Sequence, residues 1–194
     1  MDETPDDDLS WRPYLVAATI TLVLAAIVLL AMGRTMWGAA DGPGLWSGDI
    51  YSKFNSQRLT DPYTFSHVSH GLVFFGLLWL LVREYLSVGG RLVATVILES
   101  SWEVLENTPM VIERFREATM AQGYYGDSVL NSMGDILACV VGFTLAMKLP
   151  NKWIIPVFLL LEALLVFWIR DSMLLNILML VYPVPGIREW QAAG

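Results

Sequence analysis

Long apolar runs decide what this chain folds into. Leu15 to Met32 is 18 residues without a charge, enough for a helix to cross the hydrocarbon of a bilayer. Comparable runs extend from about Thr64 to Leu81, Arg91 to Asn107, Asp127 to Met147 and Trp153 to Ile169. A soluble domain of 194 residues does not carry 55% hydrophobic residues in such blocks. The expected fold is all-α: a polytopic transmembrane helix bundle with five full spans. Met173 to Tyr182 is apolar but too short to cross. It reads as a short C-terminal interfacial or re-entrant segment.

The expected organisation is an acidic disordered tail over 1–13, a single bundle domain over 14–182 and a C-terminal tail over 183–194. The tail holds Asp2, Glu3, Asp6, Asp7 and Asp8, so the net charge of -7 says little about partners. No basic patch points to nucleic acid. The first run follows acidic sequence with only Arg12 and exceeds an ordinary signal-peptide core, so an uncleaved anchor is expected. Cys139 is the only cysteine, which excludes an intrachain disulfide.

Connections are read from their breakers. Residues 33–63 form a Gly-rich polar loop that ends at Asp61-Pro62. Gly89-Gly90 reads as a tight turn, and residues 108–125 as a polar loop. Trp37, Trp46, Tyr51, Tyr63, Tyr124, Tyr125, Trp153 and Trp168 read as interfacial belt residues. Arg83 and Arg91, with Lys148 and Lys152, mark the two tightest turns as cytoplasmic by the positive-inside rule. The N-terminus is then cytoplasmic and the loops 33–63 and 108–125 face outward, in the cell inner (plasma) membrane.

Polar residues interrupt three of the spans. His67 and His70 are three apart; Glu99, Glu103 and Glu106 are four and three apart; Asp127, Asn131 and Asp135 are four apart each. Each set occupies one helical face. Ionisable groups at membrane depth are costly and avoid lipid. Span direction brings all three sets, with Asn107, to the same end of the bundle, whichever way the bundle is inserted. Glu99 and Asp135 are each about 12 Å below the helix ends at 1.5 Å per residue, and are expected as the floor. His67, Glu106 and Asp127 are expected as the rim. Gly134, Ala138 and Gly142 lie near the Asp127 face and permit close helix approach.

Two imidazoles with carboxylates suit a divalent metal: zinc, iron or manganese. His67, His70, Glu103 and Asp127 are the expected ligands. Glu106, Asp135 and Glu99 are candidate catalytic carboxylates, and Asn107, Asn131 and Arg170 candidate substrate contacts. A structural hydrogen-bond network is the other reading of the same residues. Arg170 reads first as an interfacial anchor, with a phosphate clamp as its other reading.

The strings SHVSHG (Ser66 to Gly71), ESSWEVLEN (Glu99 to Asn107) and GDSVLNSMGD (Gly126 to Asp135) resemble the signature of a bacterial membrane family. That family is uncharacterised protein family 0314, or domain of unknown function 2585, found mainly in alphaproteobacteria. The resemblance covers about residues 45–185 and implies a multi-pass inner-membrane protein. More distantly, Asp127, Asn131 and Gly134 are similar to a D-x-x-x-N-x-x-G pattern of VanZ-like membrane proteins, which are associated with the cell envelope. Three functional classes stay open: a small envelope enzyme acting on a lipid or lipid-linked head group in the outer leaflet, a proton-coupled carrier using Glu99 and Asp135, and a non-enzymatic scaffold.

Overall fold

A computed structural model describes residues 10–38, 42–119 and 123–193. Eight α-helices account for the architecture of these residues: α1 (Arg12–Ala31), α2 (Thr64–Val82), α3 (Val88–Glu106), α4 (Pro109–Ala118), α5 (Val129–Lys148), α6 (Ile154–Ile169), α7 (Met173–Val181) and α8 (Pro185–Ala192). A 3-10 turn, Asn151–Trp153, leads into α6. The sole β feature among the described residues is a single bridge between Trp46 and Thr60. The acidic stretch of the expected N-terminal tail lies outside the described residues.

Local chemistry sets most helix starts. Pro13 occupies the first turn of α1 and Pro109 opens α4, where a missing N–H costs nothing. Ser87, Ser128 and Ser172 cap α3, α5 and α7 by accepting from Gly90, Asn131 and Leu175 N–H groups. The Ser87 cap corrects the expected turn at Gly89-Gly90: both glycines are helical. Gly89 is there because a side chain would strike the Tyr14 ring, 2.4 Å from an added Cβ. The expected loop 108–125 is likewise corrected, since most of it is α4. Ile112, Phe115 and Ala118, three apart, are its buried face. The expected C-terminal tail contains α8.

Four helical segments are long and apolar enough to cross a membrane: Arg12–Ala31, Thr64–Val82, Val129–Lys148 and Asn151–Ile169. The fifth expected span, α3, has 19 residues but carries Arg91, Glu99, Glu103 and Glu106. Its charged and polar side chains are turned inward: Arg91, Thr95, Glu99 and Glu103 are all buried. The outward faces of α1 and α6 are apolar, with Val16 and Ile20 on one and Leu160 and Phe167 on the other exposed. Surfaces of that kind on two long helices mark a lipid bilayer environment.

At one end, Leu72, Phe75, Leu92, Phe143 and Ala146 form a core closed by Trp11, Val88 and Ile154. Ala25, Val96 and Ile136 join α1, α3 and α5 higher up. Between them α2 and α5 cross in backbone contact. A Cβ on Gly71 would lie 2.0 Å from the Cys139 carbonyl oxygen, and one on Gly142 2.0 Å from that of Val68. The other end is roofed by the loop 33–63. Carbonyls of Ser56, Thr35 and Met36 accept from the N–H groups of Ser128, Val129 and Leu130, each at 2.9 Å. These bonds and the Ser128 cap satisfy the amides that a helix N-terminus leaves open. The loop is therefore locked onto α5 rather than free at the surface.

Candidate functional site

Under this roof, α2, α3 and α5 bring their polar faces together around a cavity of about 420 Å³. That lies within the range of small-molecule sites, roughly 300–1,000 Å³. His67, His70, Glu106, Asp127, Asn131 and Asp135 line it. Glu99 and Glu103, 0% and 1% exposed, stand behind this lining.

The groups stack in three levels. At the deepest, Glu99 Oε1 contacts His67 Nδ1 at 2.5 Å and His70 Nδ1 at 3.0 Å. A nitrogen and a carboxylate oxygen this close are hydrogen-bonded. Glu99 therefore orients both rings by their Nδ1 atoms. In the middle level, His67 Nε2 faces Asp135 Oδ2 at 3.9 Å, and Glu103 Oε1 lies 3.5 Å from His67 Nδ1. Thr64 Oγ1 donates to Asp135 Oδ1 at 3.0 Å. At the rim, Asp127 is held on several sides. Its Oδ2 accepts from Asn107 Nδ2 at 2.9 Å and from Tyr124 OH at 2.8 Å, and its N–H donates to Asn107 Oδ1 at 2.8 Å.

This layering revises the expected depths. His67 links Glu99 to Glu103 and Asp135 rather than standing at the rim. It also divides the expected ligand set. Three groups each bring one ligand atom per residue to within 4.8 Å of one another: His67, His70 and Glu99; His67, Glu103 and Asp135; Glu103, Glu106 and Asp127. His70 and Asp127 fall in different groups. Asn107 positions Asp127 and is not in the cavity lining, whereas Asn131 lines it. Arg170 is engaged elsewhere: Nη1 donates to the Trp190 carbonyl at 2.9 Å and the guanidinium lies 5.8 Å from the Trp190 ring.

The donor set fits a divalent cation. Ligand atoms sharing a metal at about 2.0–2.2 Å stand roughly 3–4 Å apart, as His67 Nε2 and Asp135 Oδ2 do. Glu103 Oε1 is buried with no hydrogen-bond partner among the described residues, and a buried carboxylate oxygen is costly to leave so. Glu99 against two imidazoles repeats the carboxylate–histidine pairing that orients metal ligands.

Sequence reasoning passed over several participants. Asp61 was read only as a loop end. It is 1% exposed and accepts from the N–H groups of Ser56 and Tyr63 at 2.9 and 2.8 Å. Burial pushes its carboxyl above the usual range. Tyr124, read as a belt residue, is a donor to Asp127; its i, i+3 spacing was the available signal. Glu162 on α6 accepts from Leu174 N–H at 3.0 Å and ties α6 to α7.

Asp171, between those helices, lines the same cavity and accepts from Tyr63 OH at 3.3 Å. Burial pushes its carboxyl from 3.8 to about 6. Between those values the folded chain holds more protons than the unfolded one, so stability falls as pH rises through the window. The expected loss is on the order of 2–3 kcal/mol. Asp171→Asn should flatten this slope and raise the melting temperature above pH 7; melting curves in detergent across pH 4–8 check it.

No solved structure matches the chain. Sequence relatives are extensive. A UPF0314 protein of Paracoccus denitrificans is 46% identical over 183 residues, covering 94% of this chain and 92% of its own. One from Sphingopyxis alaskensis is 44% identical, with 96% and 98% covered. One from Rhizobium meliloti is 45% identical, with 92% and 90% covered. The model of the family described as "Protein of unknown function (DUF2585)" matches residues 29–193, and with these relatives it shows that the chain belongs to that family.

Proposed function

We propose that the protein is a small, metal-dependent enzyme of the bacterial inner membrane that hydrolyses or transfers the head group of a lipid or lipid-linked substrate. The observation that carries this is the juxtaposition of His67, Asp135 and Glu103, whose buried Oε1 makes no hydrogen bond among the described residues and lies 3.5 Å from His67 Nδ1, beside a 420 Å³ cavity. His67, Glu103 and Asp135 are the metal ligands, and Glu99 holds the imidazoles. A bound divalent cation would polarise the substrate and lower the pKa of its water. Glu106 and Asn131, on the cavity wall, meet the substrate. Trp102 and Ile177 line the apolar part of the same cavity and suit the lipid portion.

The proposed topology has five spans with a cytoplasmic N-terminus. Arg12, Arg83, Lys148 and Lys152 flank the end of the bundle opposite the site. Arg91 contributes less than its position in sequence suggests, because it is 2% exposed within α3. Reporter fusions after residues 87 and 150 should read cytoplasmic, and one near 118 extracytoplasmic. If 87 and 118 report the same side, α3 does not span and the outward-facing site fails.

Elemental analysis tests the chemistry. Protein purified without chelator should contain zinc, iron or manganese, and His67→Ala should lose it. Metal-free wild type would remove the metal-dependent reading. A structural network is the second reading, favoured by the complete pairing of Glu99 with His67 and His70 and of Asp127 with Asn107 and Tyr124.

A further inference from the structure

Two of the ligand groups share a member. Glu103 stands with His67 and Asp135 on one side and with Glu106 and Asp127 on the other. We infer that the site is dinuclear, with a second divalent cation held by Glu106 and Asp127 and with Glu103 as the carboxylate bridging the two ions. The inference rests on the metal-dependent reading and adds a second ion to it.

Three observations carry it. Glu103 Oε1 is buried and makes no hydrogen bond among the described residues, its near charge partner being His67 Nδ1 at 3.5 Å, and its carboxylate belongs to both sets of ligands. Glu106 and Asp127 both line the cavity, so an ion between them has access to a substrate. Asp127 is also fixed in place: donors from Asn107 and Tyr124 fill Oδ2, and its own N–H is held by Asn107. Outer hydrogen bonds of this kind orient first-shell carboxylates toward a metal. Asn107 and Tyr124 are therefore positioning residues for the second ion.

Charge points the same way. Glu103, Glu106, Asp127 and Asp135 converge on one small volume in which His67 is the nearest base. One divalent ion leaves this volume with excess negative charge, whereas two bring it close to balance. Carboxylate-rich, histidine-poor ligands at the Glu106–Asp127 position suit a hard ion such as magnesium or manganese. The His67 position suits zinc, iron or manganese.

Two-metal sites hold their ions about 3.5–4 Å apart, the spacing that would clamp two oxygens of one phosphoryl group. The substrate class of the proposed enzyme then narrows to phosphate esters or phosphoanhydrides carried on a lipid. A water between two ions ionises readily, so Glu106 serves as a ligand without loss of a base.

Manganese titration of the chelator-treated full chain in detergent tests this. Equilibrium dialysis should find two ions per chain. Electron paramagnetic resonance should show an exchange-coupled pair, with hyperfine splitting half that of an isolated ion. Asp127→Asn and Glu106→Gln should each bind one ion and give the isolated-ion spectrum, with a melting temperature level with or above that of the wild type in the absence of metal. Wild type that binds one ion with an isolated-ion spectrum overturns the dinuclear inference and leaves the metal-dependent reading standing. Wild type that binds none overturns both. Two ions without exchange coupling place the second ion elsewhere and also overturn the bridge.

Discussion

Glu103→Gln should abolish cellular function, by at least about 100-fold in any activity assay, while the melting temperature of the metal-free protein stays level or rises. The side chain is 1% exposed, so an amide of the same shape fits the same space. What changes is charge. Glu103 shares its surroundings with Glu106, Asp127 and Asp135, and neutralising one of several crowded carboxylates relieves repulsion. Sites built for function are commonly less stable than their neutralised variants. A structural network responds the other way. There, weakening one member costs about 1–3 kcal/mol, and stability and function fall together. Thermal melts in detergent, read beside complementation of a deletion strain, separate the outcomes. Proportional loss of both would discard the enzyme reading in favour of the scaffold.

Gly142→Leu should unfold the bundle or cost well over 3 kcal/mol. Overpacking a core usually costs about 1–3 kcal/mol because side chains can give way. Here the obstacle is backbone: an added Cβ meets the Val68 carbonyl oxygen at 2.0 Å and lies 3.1 Å from Gly71 Cα. Only separation of α2 from α5 relieves that contact. Separation also pulls His67 away from Asp135, so bound metal should fall with the melting temperature. Gly76→Ala, on the same helix α2, is the control. A Cβ there meets nothing within 4 Å, so the variant should be neutral or more stable by up to about 1 kcal/mol. If Gly142→Leu melts like the wild type, the close crossing of α2 and α5 is wrong.

The convergence of His67, His70, Glu99, Glu103, Glu106, Asp127, Asn131 and Asp135 on one end of the bundle was legible before any coordinates. Helical spacing fixes the face, and alternating span direction fixes the end. Partner choice within that end was not legible. Glu99 could be placed by depth, yet its pairing with both imidazoles depends on how far α2 and α3 slide along each other. The helix α4 was hidden because 108–125 is short and polar, although Pro109 followed by Ile112 and Phe115 was a start signal with a buried face. Gly89-Gly90 misled because two glycines mark a turn in isolation, whereas here Gly89 makes room for Tyr14. Least legible was the roof. Bonds from Ser128, Val129 and Leu130 to residues 56, 35 and 36 span more than 70 positions of chain, and no local pattern announces them. Asp61 has local partners in the Ser56 and Tyr63 N–H groups; what no local pattern announces is its burial.

The position of the bound metal tests the central claim most directly. Crystals of protein purified without chelator, measured at the absorption edge of the metal found by elemental analysis, would locate it by anomalous scattering. The account predicts a peak about 2.0–2.2 Å from His67 Nε2 and Asp135 Oδ2, with Glu99 still bonded to Nδ1 of His67. A map without that peak, in which His67 and Asp135 are joined directly or through a water, would contradict it and leave the cluster as the hydrogen-bonded core of the bundle.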